Sequence, residues 1–332
     1  MFRRRTLYAL LLALVCVASR AVVAQDTTLA PVKWSITTTA TANDRFDLEL
    51  TAQIDSGWHL YSTEKIEGGP SPTRITIVPD EGFELAGEID SPAPHSAYDP
   101  NFQVATEFYD GSVTFTIPVR AVNVPAANRI HVQVRYQTCT PTLCLPPKLI
   151  VLEASLSGSK IKSAQSAAAA VDNPIRETVT TGSLVPNFNF TDFDGQTRQF
   201  SDFRGRVVLL DFWASWCSPC LADIPQLQLL YRKYRQQGFE IVGMDSETLG
   251  QKEIDPEFAK DAQANPRQIV SARGVTWTQA TSETSVPIAI RTFGIENLPA
   301  KILIDRSGKV VARIKQVSEL DELLPKLLTS QP

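Results

Sequence analysis

The hydrophobic pattern of this 332-residue chain changes part-way along, and that change limits which folds are possible. Up to Leu156, short segments alternate apolar with polar or β-branched residues, and turn sequences separate them. Several short strands with frequent turns are typical of an antiparallel sandwich. The first half is therefore predicted to be all-β. The predicted strands are residues 46–54, 73–78, 112–119, 129–137 and 149–156.

After Ser183, predicted strands alternate with predicted helices, which indicates an α/β domain. Residues 206–214 form a continuous apolar run, as expected of a strand that is covered on both faces. Residues 220–238 have a helical pattern that Gly238 ends. The remaining predictions are a strand at 239–245, helices at 256–265, 285–294 and 318–330, the last capped by Ser318, and a hairpin at 300–314.

Residues 157–183 are small, polar and weakly patterned, which is typical of a linker. The predicted domains are therefore a sandwich over residues 25–156 and an α/β domain over residues 184–332, on either side of this linker. Residues 1–24 have a basic start, a short apolar run and small residues before the predicted cleavage near Ala24. This pattern predicts a secretory signal peptide. A lipoprotein cleaved before Cys16, or an uncleaved anchor, are the alternatives.

The charge balance excludes some classes of partner. The chain has 32 Lys and Arg against 36 Asp and Glu, and residues 1–24 contain four of the arginines and no acid. The rest of the chain is therefore acidic, and no basic patch predicts binding to nucleic acid. Export would place the protein in the periplasm or another extracytoplasmic compartment. In such an oxidising compartment, close cysteine pairs are structural disulfides or redox centres.

Four of the five cysteines form two close pairs, Cys139 with Cys144 and Cys217 with Cys220. The second pair follows a predicted buried strand and opens a helix, whose N-terminus stabilises a thiolate at Cys217. Cys220, one turn further on, is the predicted resolving thiol, and Pro219 supports the helix start. A structural disulfide is the alternative, for which this junction is poorly suited. The spacing does not favour zinc, and no metal or cofactor is predicted.

The segment DFWASWCSPC (211–220) resembles thioredoxin-like proteins of the exported TlpA/ResA type, and the resemblance covers about residues 184–328. It implies a thioredoxin fold and thiol–disulfide exchange. It also implies that Pro299 is a cis proline facing the two cysteines. Asp211 matches a buried acid, whose raised pKa would let it take the proton from Cys220.

The same resemblance assigns three further residues. Glu247 lies where the ResA type has an active-site glutamate, although an exposed loop acid is an equal alternative. Trp216 is expected beside the thiols as part of the contact surface, together with Pro219. Trp213 is expected in the core.

Three segments of the first half, GWHLYS (57–62), TEFYDG (106–111) and YQTCTPTLCLPP (136–147), together resemble the N-terminal α domain of DsbD. Coverage is about residues 30–156. The resemblance implies an immunoglobulin-like sandwich with an active disulfide under a cap loop. Cys144 would exchange with partners and Cys139 would resolve. From spacing alone, a loop-stapling disulfide is equally compatible.

The resemblance places Phe108 and Tyr109 on the cap loop, Glu107 close to the disulfide and Tyr61 in its lining. Ordinary sandwich core is the alternative for Phe108 and Tyr109. The sequence departs from the DsbD pattern in two places: four residues instead of five separate the cysteines, and Thr106 replaces an acid.

DsbD joins its two soluble domains through a membrane domain of eight helices, whereas here a short linker joins them. We therefore predict an exported reductase in which Cys217 and Cys220 pass electrons to Cys139 and Cys144, and then to client proteins with disulfides. A separate CcdA/DsbD-like membrane protein would supply the electrons, and the ResA resemblance implies apocytochrome c among the clients. Alternatively, the sandwich is only a binding module with a structural disulfide. The sequence does not set the direction of transfer, so an oxidase or isomerase is a weaker alternative.

Overall fold

A computed structural model describes residues 29–42, 44–78, 82–122, 129–156, 178–251 and 256–329. The predicted signal peptide, with Cys16, lies outside the described residues, as does most of the predicted linker. The described residues from Pro31 onward belong to one compact unit. Within the described ranges, no helix has the length and apolar character that a membrane crossing requires.

The first half of the described chain consists of antiparallel strands. The strands are β1 (Val32–Ala40), β2 (Arg45–Ile54), β3 (His59–Tyr61), β4 (Arg74–Ile77), β5 (Phe83–Leu85), β6 (His95–Asp99), β7 (Val104–Tyr109), β8 (Ser112–Ala121), β9 (Arg129–Tyr136), β10 (Thr138–Cys139) and β11 (Lys148–Ser155). They pair in three sheets, in the orders β1-β2-β8-β5, β11-β9-β4 and β10-β3-β7-β6.

The sheets β1-β2-β8-β5 and β11-β9-β4 share one core. Trp34 on β1 stacks against Phe115 on β8, with ring centroids 6.3 Å apart, and contacts Tyr136 at the end of β9, at 5.2 Å. Alternate residues of each strand point inward, so these side chains meet between the sheets. The predicted sandwich is confirmed. Strand β1 was not predicted, although its first residues alternate buried with exposed side chains. The shorter strands β3, β5, β6, β7 and β10 were not predicted either.

The second half is a thioredoxin-like α/β fold around a five-stranded sheet. Its elements are β12 (Asn189–Thr191), β13 (Thr197–Gln199), β14 (Val207–Trp213), α1 (Ser218–Tyr234), β15 (Phe239–Asp245), α2 (Pro256–Ala272), β16 (Thr278–Ala280), α3 (Ser282–Phe293), β17 (Ala300–Ile304), β18 (Val310–Ile314) and α4 (Leu320–Thr329). The strand order in the five-stranded sheet is β16-β15-β14-β17-β18. Strand β14 is central, parallel to β15 and antiparallel to β17, and every one of its residues is buried. This position explains the continuous apolar run.

Two local predictions differ from the structure. Ser318 does not cap the last helix, because a 3-10 turn (Val317–Glu319) precedes α4, and Gln316 caps that turn reciprocally with Glu319. The end of the predicted linker is also structured. Gly182 N donates to Val310 O at 2.8 Å, which adds this segment to the edge of the α/β half.

Candidate active site

The Cys217–Cys220 pair lies at the N-terminus of α1, four residues after β14 ends. It forms a disulfide bond, and Cys217 is the N-cap residue, whose Sγ accepts from Cys220 N at 3.3 Å. Pro219 lies in the first turn, where its missing N–H costs no hydrogen bond. Once reduced, a thiolate at Cys217 would face the unpaired N–H groups and the positive end of the helix.

Glu247 fixes the chain just before Cys217. Its carboxylate accepts from Ser215 N at 2.8 Å and from Ser215 Oγ at 2.6 Å, and its backbone oxygen accepts from Trp216 Nε1 at 3.0 Å. Glu247 is buried, which excludes the exposed loop acid. Burial, followed by the charge of Glu247, raises the pKa of nearby Asp245 well above its usual range. Trp213 is also buried, as predicted for a core residue.

A buried charge cluster lies on the central strands. Lys301 Nζ is 3.3 Å from Asp211 Oδ1 and donates a hydrogen bond to Asp223 Oδ2 at 2.6 Å. Burial raises the pKa of Asp211 above its usual value, although the charge of Lys301 opposes the rise. Burial alone would lower the pKa of Lys301, but the charges of Asp211 and Asp223 outweigh it and raise this pKa. Asp211 therefore holds a proton more readily than an exposed aspartate does.

The Cys139–Cys144 pair also forms a disulfide bond and is buried. Cys139 ends β10, which pairs with β3. Tyr61 of β3 is buried and belongs to the same hydrophobic cluster as both cysteines. Burial, followed by the charge of Asp99, raises the pKa of Tyr61 well above its usual value.

The two residues that were predicted to lie on the cap loop, Phe108 and Tyr109, pack in different hydrophobic clusters. Phe108 packs against the hydrophobic cluster that contains both cysteine pairs, and its ring lies 4.5 Å from that of His59. Tyr109 packs in the sandwich core instead, so its predicted cap position is wrong. Both residues lie on β7, where neighbouring side chains point to opposite faces. Glu107 accepts from Ser62 Oγ at 3.3 Å.

The two cysteine pairs lie in one hydrophobic cluster, because the sandwich packs against the α/β half at this point. The Leu298–Pro299 bond is cis, as predicted. Cys144 N donates to Leu298 O at 3.1 Å, and the two residues form an antiparallel bridge. Cys144 of the sandwich therefore contacts the main chain directly before the cis proline.

Gln137 connects the same two regions, although no sequence pattern predicted a role for it. Its Nε2 donates to Trp216 O at 2.9 Å and lies 3.6 Å from Cys139 Sγ, while its Oε1 accepts from Ser71 N at 2.9 Å. The residue is fully buried. A buried amide needs such partners, so Gln137 both stabilises the contact and orients the cysteine loop. The only sequence signal was a glutamine two positions before Cys139.

Gln137→Ala is expected to lower the free energy of unfolding by about 1–3 kcal/mol, because it leaves Trp216 O and Ser71 N buried without this partner. Urea denaturation of the full chain measures the change. Gln133→Ala is the matched control, since Gln133 is a nearby glutamine that is only half-buried. Equal effects of the two substitutions would contradict the bridging role.

Among the described residues, no group of three or more His, Cys, Asp and Glu side chains is arranged to hold a metal ion.

Two known families match separate parts of the chain. The family described as "Thiol:disulfide interchange protein DsbD, N-terminal" matches residues 25–154, and the family "Redoxin" matches residues 180–325. The thiol-disulfide oxidoreductase ResA of Bacillus thuringiensis subsp. konkukian is 32% identical over 154 residues, which are 46% of this chain and 80% of that protein. This chain belongs to the ResA family of thiol-disulfide oxidoreductases. ResA of Bacillus subtilis is 30% identical over 138 residues, 41% of this chain and 68% of that protein.

Solved structures resemble part of the chain. The thioredoxin domain of a thiol-disulfide oxidoreductase from Bacteroides vulgatus is 26% identical, with a TM-score of 0.36, and the match covers 46% of this chain and all of that one. A putative thiol:disulfide interchange protein DsbE from Chlorobium tepidum is 25% identical, with a TM-score of 0.36, and covers 46% of this chain and 99% of that one. As a member of the ResA family, this chain is a thiol-disulfide oxidoreductase.

Proposed function

We propose that this protein is an extracytoplasmic thiol:disulfide reductase with two redox stations in one chain. Cys217 and Cys220 receive electrons from a separate membrane thiol donor and pass them to Cys139 and Cys144. The sandwich then reduces client proteins that contain disulfides, apocytochrome c among them.

The main support is the contact between Cys144 and Leu298. An attacking thiolate needs its target disulfide beside it, and the main-chain bridge places the cysteine loop of the sandwich against the segment before Pro299. Gln137 adds a second link, between Cys139 and the residue before Cys217. A purely structural disulfide would gain nothing from this placement.

The internal step is a balanced thiol–disulfide exchange. The Cys217 thiolate attacks Cys144 Sγ, forming a mixed disulfide and releasing Cys139 as a thiolate. Cys220 then attacks Cys217, which restores the Cys217–Cys220 disulfide and releases Cys144 as a thiolate. Asp211 accepts the proton that Cys220 loses as it becomes the nucleophile. Two electrons have moved, and Cys139 and Cys144 end as thiols after taking up two protons.

Burial imposes an order on the cycle. Cys144 and Cys217 are both 0% exposed in this arrangement, so neither is accessible to an outside protein. The two halves must therefore separate before the donor reaches Cys217 or a client reaches Cys144. Joining the two halves in one chain then favours their return, at an effective concentration on the order of millimolar.

A trapping experiment tests the proposal. In the full chain with Cys220→Ala, Cys217 attacks Cys144 but is not released, so a Cys217–Cys144 disulfide should accumulate. Iodoacetamide then blocks the freed Cys139 and prevents reversal. Digestion without reductant and mass spectrometry identify the joined peptides.

The relay requires that this cross-link dominates and forms at a rate independent of protein concentration. Cys217→Ser/Cys220→Ala is the control, since it lacks the attacking thiol and should give no cross-link. If Cys139–Cys144 stays intact while Cys217 is found only with other proteins, the sandwich is a binding module and the relay is wrong.

A further inference from the structure

The β6–β7 hairpin of the sandwich reaches the N-terminus of α1. Its turn, the hairpin tip, consists of residues 99–103. Asp99 Oδ1 accepts from Asn101 N at 2.8 Å and from Phe102 N at 3.3 Å, and Gln103 has a positive φ of 62°. These bonds fix the tip in one conformation, so that the other carboxylate oxygen of Asp99 points outward to the α/β half.

The hairpin tip contacts Ser218, the residue that follows Cys217. Ser218 Oγ donates to Asp99 Oδ2 at 3.1 Å and accepts from Asn101 Nδ2 at 3.0 Å. The hydroxyl therefore has both a donor and an acceptor partner across the contact. Ser218 is the first residue of α1 and is buried.

Two further contacts hold the tip in place. Arg273, just after α2, donates to Asn101 O, and its Nη1 donates to Leu221 O of α1 at 3.0 Å. Phe102 is buried in the cluster that contains the core of the α/β half. The tip thus has an apolar anchor beside a polar contact, which is the usual anatomy of a specific interface.

We infer that the hairpin tip is the element by which the sandwich recognises its own α/β half, and that it does so by hydrogen bonding to Ser218. This inference rests on the proposed relay and names its specificity determinant. A thioredoxin-like protein without a hydroxyl at this position would leave Asp99 Oδ2 and Asn101 Nδ2 without these partners in a partly buried contact. That cost discriminates against other proteins that have the same cysteine spacing.

A double-mutant cycle tests the pairing in the full chain with Cys220→Ala. The rate of Cys217–Cys144 cross-linking, trapped with iodoacetamide, is measured for Asp99→Ala, Ser218→Ala and both together. Each single substitution is expected to slow the rate about tenfold, because a hydrogen bond to a charged group is lost. The double variant should be slowed by less than the product of the two single effects, since the Asp99–Ser218 hydrogen bond is lost only once.

Asp55→Ala and Ser271→Ala are the matched controls, because both residues are exposed and lie in the sandwich and the α/β half respectively. They should leave the rate unchanged. Single effects that multiply in the double variant, or single variants as fast as the controls, would overturn the inference. A rate that rises with protein concentration would mean that the tip docks on a second copy, and would also overturn it.

A second measurement separates this inference from the relay. In the full chain with Cys139→Ser, Cys144→Ser and Cys220→Ala, no exchange is possible. Docking shields Cys217, so the rate at which Cys217 is alkylated measures how often the two halves separate. Asp99→Ala should speed this alkylation about tenfold. If Asp99→Ala speeds alkylation but the first experiment gives no cross-link, the proposed relay is contradicted and docking through the hairpin tip is supported. Fast cross-linking that neither Asp99→Ala nor Ser218→Ala alters would support the relay and contradict recognition through the hairpin tip.

Discussion

Serine at both Cys139 and Cys144 is expected to reduce electron transfer to client proteins by about 100-fold or more, because no thiolate remains on the sandwich to attack a client disulfide. Insulin reduction by Cys217 and Cys220, with dithiothreitol as the electron source, should persist in the same variant. The measurement follows the thiols released in an oxidised client protein when the membrane donor, or a chemical substitute selective for Cys217–Cys220, supplies the electrons.

Losing the disulfide is also expected to cost about 2 kcal/mol of stability, given the short loop it closes. Insulin reduction serves as the internal control for folding, and Thr142→Ser is a matched substitution in the same loop that keeps both cysteines. Client reduction that survives in the double-serine variant would show that the sandwich is a binding module and that the chemistry belongs to the α/β half alone.

Asp211→Asn is expected to slow the resolving attack by Cys220 about 100-fold, the usual contribution of a general base. Mixed disulfides between Cys217 and its partner should then accumulate during turnover. The pH profile separates a proton-accepting role from a merely structural one. The rate of the wild-type resolving step should rise with pH as Asp211 ionises, and Asp211→Asn should remove this dependence.

The same substitution is expected to stabilise the protein at neutral pH. Because the folded-state pKa of Asp211 is raised above 3.8, the folded chain binds more protons than the unfolded chain between the two pKa values. Wild-type stability therefore falls as the pH rises through this window. Lys301 also has a raised pKa, but its contribution is constant at neutral pH and is lost only in the alkaline range.

Urea denaturation at pH 4 and pH 8 measures this effect. The stability advantage of Asp211→Asn should grow with pH and reach on the order of 1 kcal/mol, because Lys301 keeps its hydrogen bond to Asp223. Asp194→Asn is the control, since Asp194 is an exposed aspartate of the same half. An advantage that is the same at both pH values would contradict the buried-acid assignment.

Much of the fold followed from local pattern. The apolar run before Cys217 predicted a central strand, and β15 was predicted with its observed bounds, Phe239–Asp245. Resemblance to known families added the cis bond at Pro299 and the acid at Asp211, which no pattern of apolar residues identifies. Tyr109 was misplaced because the segment that contains it is strand β7, and strand alternation turns it away from Phe108.

The sequence by itself determined that two cysteine pairs lie on two different kinds of domain, and that one pair opens a helix after a buried strand. These properties depend on residues that are close in the chain, so periodicity and spacing reveal them. Only the tertiary structure decided which surfaces meet. Asn101 and Ser218 are 117 positions apart, and Gln137 is 79 positions from Trp216. Contacts of this kind depend on how complete elements pack, and no short stretch of sequence encodes them.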